Sequence, residues 1–378
     1  MRRLAVEAHP AHMTRRRTSW IVALWLGMMA PALACQSQAT GAGAASEHSE
    51  PIESTAITTA TTAPSAGEPS ARSDEPLVEA VGDHRYAVSY RDAGGAPRTV
   101  LLEVFLPRSG GSEPVATVVW SHGGSSGKTS TTRAAGDWAP ALTAKGFAVV
   151  AIAHSGRSME SREQLCAAIA VGDCSMFMYL DWDRPADVDA VLDWMLGGDT
   201  GYPFDPQRLV YGGHSAGARS VMRLAGVSMP IDAGQQPGAD DRFAAFVVAS
   251  PPGATEVGLA PESFDALERP MILLSGAGDT TNGNEATDRR ATMDMVPSGP
   301  FVTVWVADEH TRHTTFDLDT SSCQRAGGSR QRCSEIVKGL GTMTAAFLEQ
   351  SLAGRSAADI VARSAGRLPA GFEVATTE

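Results

Sequence analysis

An α/β fold, a mostly parallel sheet flanked by helices, is predicted by three features of this 378-residue sequence. From residue 86 onward, short apolar runs alternate with amphipathic stretches, the order that repeated βα units produce. The runs 115–120 and 147–153 are almost wholly apolar, as central strands covered on both faces must be. The run 208–212 passes through Gly213-His214-Ser215-Ala216-Gly217 into a helical stretch, 218–225, so a strand reverses sharply into a helix through small residues.

Each element has its own signal. Residues 86–90 and 99–106 read as an antiparallel pair around the glycine-rich turn 93–97. The strand 115–120 follows, then a helix over 137–145 and the strand 147–153. Residues 154–183 read as a long irregular stretch holding the apolar cluster 176–180. A loop of that length is either a surface excursion or a lid over a site. Val188, Val191, Leu192 and Met195 share one face of a helix over 187–196. Three more strands are expected at 243–249, 270–275 and 301–306, and a last helix at 335–352.

The amino terminus carries an export signature. Arg15, Arg16 and Arg17 precede the apolar run 20–30, which closes on Pro31-Ala32-Leu33-Ala34-Cys35. The run is too short and too soon interrupted for a membrane span. Cys35 then stands where a bacterial lipoprotein is acylated, and two readings stay open: lipidation at Cys35, with membrane attachment through it, or simple cleavage after Ala34. Residues 1–34 are thus an expected signal peptide. Residues 35–78, rich in Ala, Ser, Thr, Gly and Pro, are an expected disordered tether, because they cannot bury enough apolar surface to offset their ordering entropy. The catalytic domain is expected over 79–355, with a tail over 356–378.

Export, to the periplasm, to the outer membrane or cell surface as a lipoprotein, or into the medium, makes two local disulfides the simplest account of Cys166 with Cys174 and Cys323 with Cys333. Neither pair has metal-ligand spacing, so no metal is expected. The net charge is −12, and loss of residues 1–34 would leave the chain more acidic still. Such a chain repels nucleic acid. The stretch His122-Gly-Gly-Ser-Ser-Gly-Lys128-Thr129 differs from a phosphate-binding loop by one residue, but histidine stands where that loop needs glycine.

Gly213-His214-Ser215-Ala216-Gly217 is a nucleophile-elbow pattern: the turn is so tight that its serine is strained and its neighbours must be small. Together with Ser121-His122-Gly123 and Arg184-Pro185-Ala186-Asp187-Val188 it resembles the α/β-hydrolases, closest in arrangement to the platelet-activating-factor acetylhydrolase-like and dienelactone-hydrolase-like groups. The resemblance covers residues 80–355. It implies an eight-stranded sheet, no cofactor, and hydrolysis of small-molecule or lipid-like esters, or related acyl bonds, through an acyl-enzyme. Two other readings remain: a silent surface lipoprotein that uses the fold for binding, and a serine peptidase.

A serine hydroxyl needs a base, and the base needs an orienting acid. In this fold they follow the serine in the order acid, histidine. Asp279 is the first carboxylate after the strand 270–275, reached through Gly276-Ala277-Gly278. The platelet-activating-factor enzymes can carry the acid one strand earlier, where this chain has Ser250. His310 and His313 are the two candidate bases. His310, four residues past the strand 301–306, is preferred for its natural loop distance; His313 has Phe316 three residues on. The oxyanion donors are expected to be the amides of Ala216 and Gly124, with His122 bracing the glycine loop.

Overall fold

The apolar runs form the centre of a ten-stranded mixed sheet in the computed structural model, which describes residues 76–377 apart from 109–110, 112, 125–126, 128–133, 170–178, 199, 231–237 and 282. The strands are β1 (Leu77–Gly82), β2 (Arg85–Arg91), β3 (Pro97–Phe105), β4 (Val115–Ser121), β5 (Ala148–Ala153), β6 (Phe204–His214), β7 (Phe243–Ala249), β8 (Met271–Gly276), β9 (Phe301–Val306) and β10 (Phe372–Thr376). Their order is β1-β2-β3-β5-β4-β6-β7-β8-β9-β10. From β5 to β9 neighbours pair in parallel, whereas β1, β2, β3 and β10 pair antiparallel at the two edges. Every residue of β5 and β8 is buried, because helices cover both faces there.

The described helices are α1 (Trp138–Thr143), α2 (Met159–Ala168), α3 (Leu180–Leu196), α4 (Ala216–Leu224), α5 (Ala286–Asp294), α6 (Thr320–Arg325), α7 (Arg330–Ser351) and α8 (Ala357–Ser364). Side chains alternate across each strand, so the sheet feeds two cores. Val119 and Tyr211 join Val188 and Val191 of α3 and Val221 of α4 in one. Val118, Trp120 and Val210 join Trp138 of α1 and Leu340 and Phe347 of α7 in the other. With the β6–α4 reversal at Ser215, this is the α/β-hydrolase fold.

All eight strands read from the sequence are present, and the structure adds one at each edge. β1 begins inside the expected tether, and the expected tail contributes α8 and β10, with Phe372 packing against the second core. The stretch 154–183 is less irregular than its composition suggests. Ser158 caps α2 by accepting from the Ser161 amide, and α3 starts at Leu180 rather than 187, with Pro185 in its second turn. Arg184 therefore sits within the helix rather than ahead of it. Cys323 and Cys333 are disulfide-bonded and join α6 to α7. Cys166 is buried on α2, whereas Cys174, Cys35, the export segment and residues 176–178 of the apolar cluster lie outside the described residues.

At the start of α3 the apolar pattern is interrupted by buried carboxylates, each held by a basic side chain. Asp187 accepts from Arg98 at 2.6 and 2.8 Å and from the Tyr90 hydroxyl at 2.5 Å. Arg157 bridges Asp183, at 2.6 and 2.7 Å, to Asp92 at 2.5 Å. His154 donates from Nδ1 to Asp187 at 2.7 Å, and its Nε2 meets Ser121 Oγ at 2.8 Å.

Burial, aided by the Arg184 charge, lowers the His154 pKa to about 4 despite the Asp187 carboxylate. An unfolded histidine titrates near about 6.5. As pH falls through that value the unfolded chain takes the proton first, so folded-state stability declines until His154 itself titrates. The urea midpoint should therefore fall as pH is lowered from 6.5 towards 4, and His154→Gln should make the decline shallower. An identical pH slope in the variant would refute this account.

Candidate active site

Strand β6 ends at His214, helix α4 begins at Ala216, and Ser215 between them has φ +56° and ψ −116°. A positive φ at a non-glycine residue is strained and persists only where its surroundings enforce it. Close backbone approach supplies that enforcement. A Cβ on Gly217 would lie 2.1 Å from the Ser121 carbonyl oxygen of β4, and one on Gly213 would lie 2.6 Å from the Gly217 carbonyl carbon. The first turn of α4 is thus pressed onto the ends of β4 and β6, with its positive dipole end beneath the serine.

The chain leaves β8 in an equally tight turn. The Asp279 amide donates to the Gly276 carbonyl at 3.0 Å, and the Gly278 amide donates to Thr311 Oγ1 at 2.9 Å, tying this turn to the loop after β9. Asp279 is fully buried. Its Oδ1 accepts from Ser250 Oγ at 2.9 Å and lies 3.3 Å from Arg289 Nε of α5, while Oδ2 accepts from Ser275 Oγ at 2.8 Å. Burial pushes this carboxyl up, but the His313 hydrogen bond and the Arg289 charge outweigh it and hold Asp279 below the usual carboxylate range.

His313, not His310, reaches the serine. His313 Nδ1 donates to Asp279 Oδ1 at 2.9 Å, which leaves Nε2 as the acceptor facing Ser215 Oγ at 2.7 Å. The first residues after β9 are spent on a turn. Asp308 Oδ1 accepts from the His310 amide at 2.9 Å and from its ring at 3.0 Å, and the Asp308 carbonyl accepts from Thr311 Oγ1 at 2.7 Å. The turn aims His310 outward, 47% exposed, and the chain has doubled back to the elbow only by residue 313.

Two further side chains brace this arrangement without any signal in the motif pattern. His214, which fills the unspecified position of the elbow, donates from Nε2 to the His313 carbonyl at 3.0 Å, with the two rings 4.6 Å apart. Burial and the neighbouring His313 lower its pKa to about 3, so it stays neutral at neutral pH. Ser250, at the end of β7, has φ +55° and places Oγ 2.8 Å from His313 Nδ1 as well as against Asp279. The pairing of a hydroxyl with a distant carboxylate was visible only once the strand ends came together.

Gly124 and Ala216 line the same cleft as Ser215, a cavity of about 520 Å³. Leu180 and Pro252 form part of its wall. The two arginines at its surface are already engaged. Arg219 grips Asp181 at 2.8 and 2.6 Å, and Arg289 donates to the Asp279 and Pro251 carbonyls and to Thr281. The glycine loop after β4 is held from behind: His122 Nδ1 donates to the Gly123 carbonyl at 2.8 Å, and Arg184 of α3 donates to the His122 carbonyl and, at 2.6 Å, to that of Gly124. Lys128 and Thr129 lie outside the described residues.

No family model and no curated protein sequence matches the chain. Solved structures do. A 2,6-dihydroxy-pseudo-oxynicotine hydrolase is similar over 66% of this chain and 67% of its own, at 12% identity and a TM-score of 0.39. Esterase 2 of Thermogutta terrifontis, phosphorylated by paraoxon, is similar over 67% of this chain and 90% of its own, at 15% identity and a TM-score of 0.42. A puromycin hydrolase is similar over 74% of this chain, at 16% identity and a TM-score of 0.44, and this similarity spans only 39% of that longer protein.

Proposed function

We propose that the protein is a serine hydrolase that cleaves carboxylic esters, or related acyl bonds, through an acyl-enzyme on Ser215. The observation that carries this reading is the 2.7 Å contact between His313 Nε2 and Ser215 Oγ, at the lip of an open cleft. A serine beside an imidazole whose other nitrogen is fixed by a carboxylate is an activated nucleophile. His313 takes the Ser215 proton as Oγ attacks the acyl carbon. The carbonyl oxygen becomes an oxyanion facing the amides of Ala216 and Gly124. Collapse of the tetrahedral adduct breaks the ester bond, and His313 gives its proton to the departing alcohol. Water then attacks the acyl-enzyme with the same base, releasing the acid and restoring Ser215. Asp279 remains ionised throughout and stabilises the imidazolium.

Within the α/β-hydrolases, the chain is proposed to belong with the platelet-activating-factor acetylhydrolase-like and dienelactone-hydrolase-like enzymes, on the motifs quoted from its sequence. It is further proposed to be exported, with a mature chain that starts at Cys35.

Ser215→Ala should abolish turnover of p-nitrophenyl acetate while leaving the circular dichroism spectrum unchanged, and persistent activity would sink the assignment. An organophosphonate should label Ser215 in the unaltered protein, whereas an unlabelled serine would favour a silent binding protein. His313→Ala should lower kcat by at least about 10³-fold, whereas His310→Ala should stay within about twofold of the parent. The reverse ranking would return the base to His310. The intact mass of protein recovered from an exporting bacterial host should begin at Cys35, with or without added acyl chains. A chain retaining Met1 would refute export.

A further inference from the structure

We propose that Arg184 is a positioning residue for the oxyanion hole, holding the glycine loop in register and placing an unneutralised positive charge behind it. The inference rests on the hydrolase reading above and deepens it. Three consecutive carbonyls of this loop have fixed donors. Those of His122 and Gly124 accept from the two terminal nitrogens of Arg184, and that of Gly123, between them, accepts from His122 Nδ1. All described peptides are trans, so each N–H points opposite to the carbonyl of its own peptide. The His122 ring thereby orients the Gly124 amide, and Arg184 clamps the peptides on either side of it. Gly124 adopts φ +81°, open to glycine at little cost, and lines the cleft with Ser215 and Ala216.

The charge of Arg184 is as informative as its geometry. The residue is 1% exposed, and its Nε has no hydrogen-bond partner. It makes no ion pair among the described residues. The carboxylate whose field reaches it, Asp187, is already gripped by Arg98 through two hydrogen bonds. Burial lowers the Arg184 pKa only to about 10, so the guanidinium is charged at neutral pH. An unpaired buried cation is costly. A scaffold that needed only to tie down two carbonyls could do so with neutral donors. A cation in this place favours negative charge developing at the carbonyl oxygen of a bound ester, where preorganised electrostatics has its largest effect on rate.

The test compares Arg184→Met and Arg184→Lys with the parent on p-nitrophenyl acetate, with active sites counted by exhaustive phosphonate titration. The Met variant should lose about 10²-fold in kcat per titrated site, the size expected for loss of an oxyanion-hole contribution, with KM within about threefold. The Lys variant, which keeps the charge without the fork, should fall between the two. Guanidinium at a non-denaturing concentration should raise kcat of Arg184→Ala and not that of the parent. Unchanged kcat per site in the Met variant would overturn the proposal. So would a loss fully explained by fewer titratable sites, or by a KM rise alone, since those outcomes mark a merely structural role. If the Met variant does not fold, a Lys variant with parental kcat per site overturns the fork's role, and one with reduced kcat at unchanged KM supports it. Retained activity in Ser215→Ala would instead refute the underlying hydrolase reading, independently of any Arg184 result.

Discussion

Helix α4 starts so close to strand β4 that no side chain fits between them, and the geometry of the site descends from that contact. With a Cβ at Gly217 only 2.1 Å from the Ser121 carbonyl, a larger residue would push the helix off the sheet. Because the helix cannot retreat, the connection from β6 is a single residue, and Ser215 takes a backbone conformation that side-chain-bearing residues avoid. The same closeness sets the loop after β4 beside Ser215: a Cβ on Gly123 would lie 3.1 Å from that of Ser215 and 2.7 Å from His214 Nδ1. One packing constraint therefore raises the hydroxyl, brings the glycine loop to it and aims the helix dipole at the gap between them.

A second Ser–His–Asp row in the molecule shows why contact alone does not make a site. Ser121, His154 and Asp187 meet at 2.8 and 2.7 Å, much like Ser215, His313 and Asp279 at 2.7 and 2.9 Å. The first row is sealed, with all three residues at most 2% exposed, and Tyr90 and Arg98 close over the carboxylate. It lies between α3 and the sheet and ties β3, β4 and β5 together. The second row opens on the cleft because the elbow lifts its serine out of the sheet. Access and strain separate the two, and neither is a property of residue type.

That distinction marks how far the amino-acid pattern could be read. Continuous apolar runs revealed the central strands, because burial on both faces leaves no alternation to misjudge. The small residues around Ser215 revealed the elbow, because the turn has few chemical solutions. The edge strands β1 and β10 were less legible: β1 is almost wholly exposed and β10 alternates half-buried with exposed residues, so neither carries the buried apolar run of a central strand. The start of α3 was hidden because Asp181, Asp183, Arg184 and Asp187 look solvent-facing and are in fact buried. That His313 rather than His310 reaches Ser215 depends on an Asp308-capped turn, a local hydrogen-bond pattern that loop distance cannot anticipate. Arg184, His214 and Ser250 act through backbone carbonyls or across strand ends, where linear spacing carries no information.

The surroundings of Asp279 show how a buried carboxylate is kept ionised. The ends of β7 and β8 converge on one imidazole nitrogen, so either could carry the acid: Ser250 Oγ is 2.8 Å and Asp279 Oδ1 2.9 Å from His313 Nδ1. A carboxylate at this depth loses its hydration and must be repaid by donors. Asp279 receives hydroxyl bonds from Ser250 and Ser275, the ring N–H of His313 and the nearby charge of Arg289, which together overcome the effect of burial. Ser250, after β7, therefore serves Asp279, after β8. Its hydroxyl fills a donor position that a second carboxylate would have turned into a repulsion, and the positive φ of Ser250 is the backbone cost of aiming that hydroxyl inward.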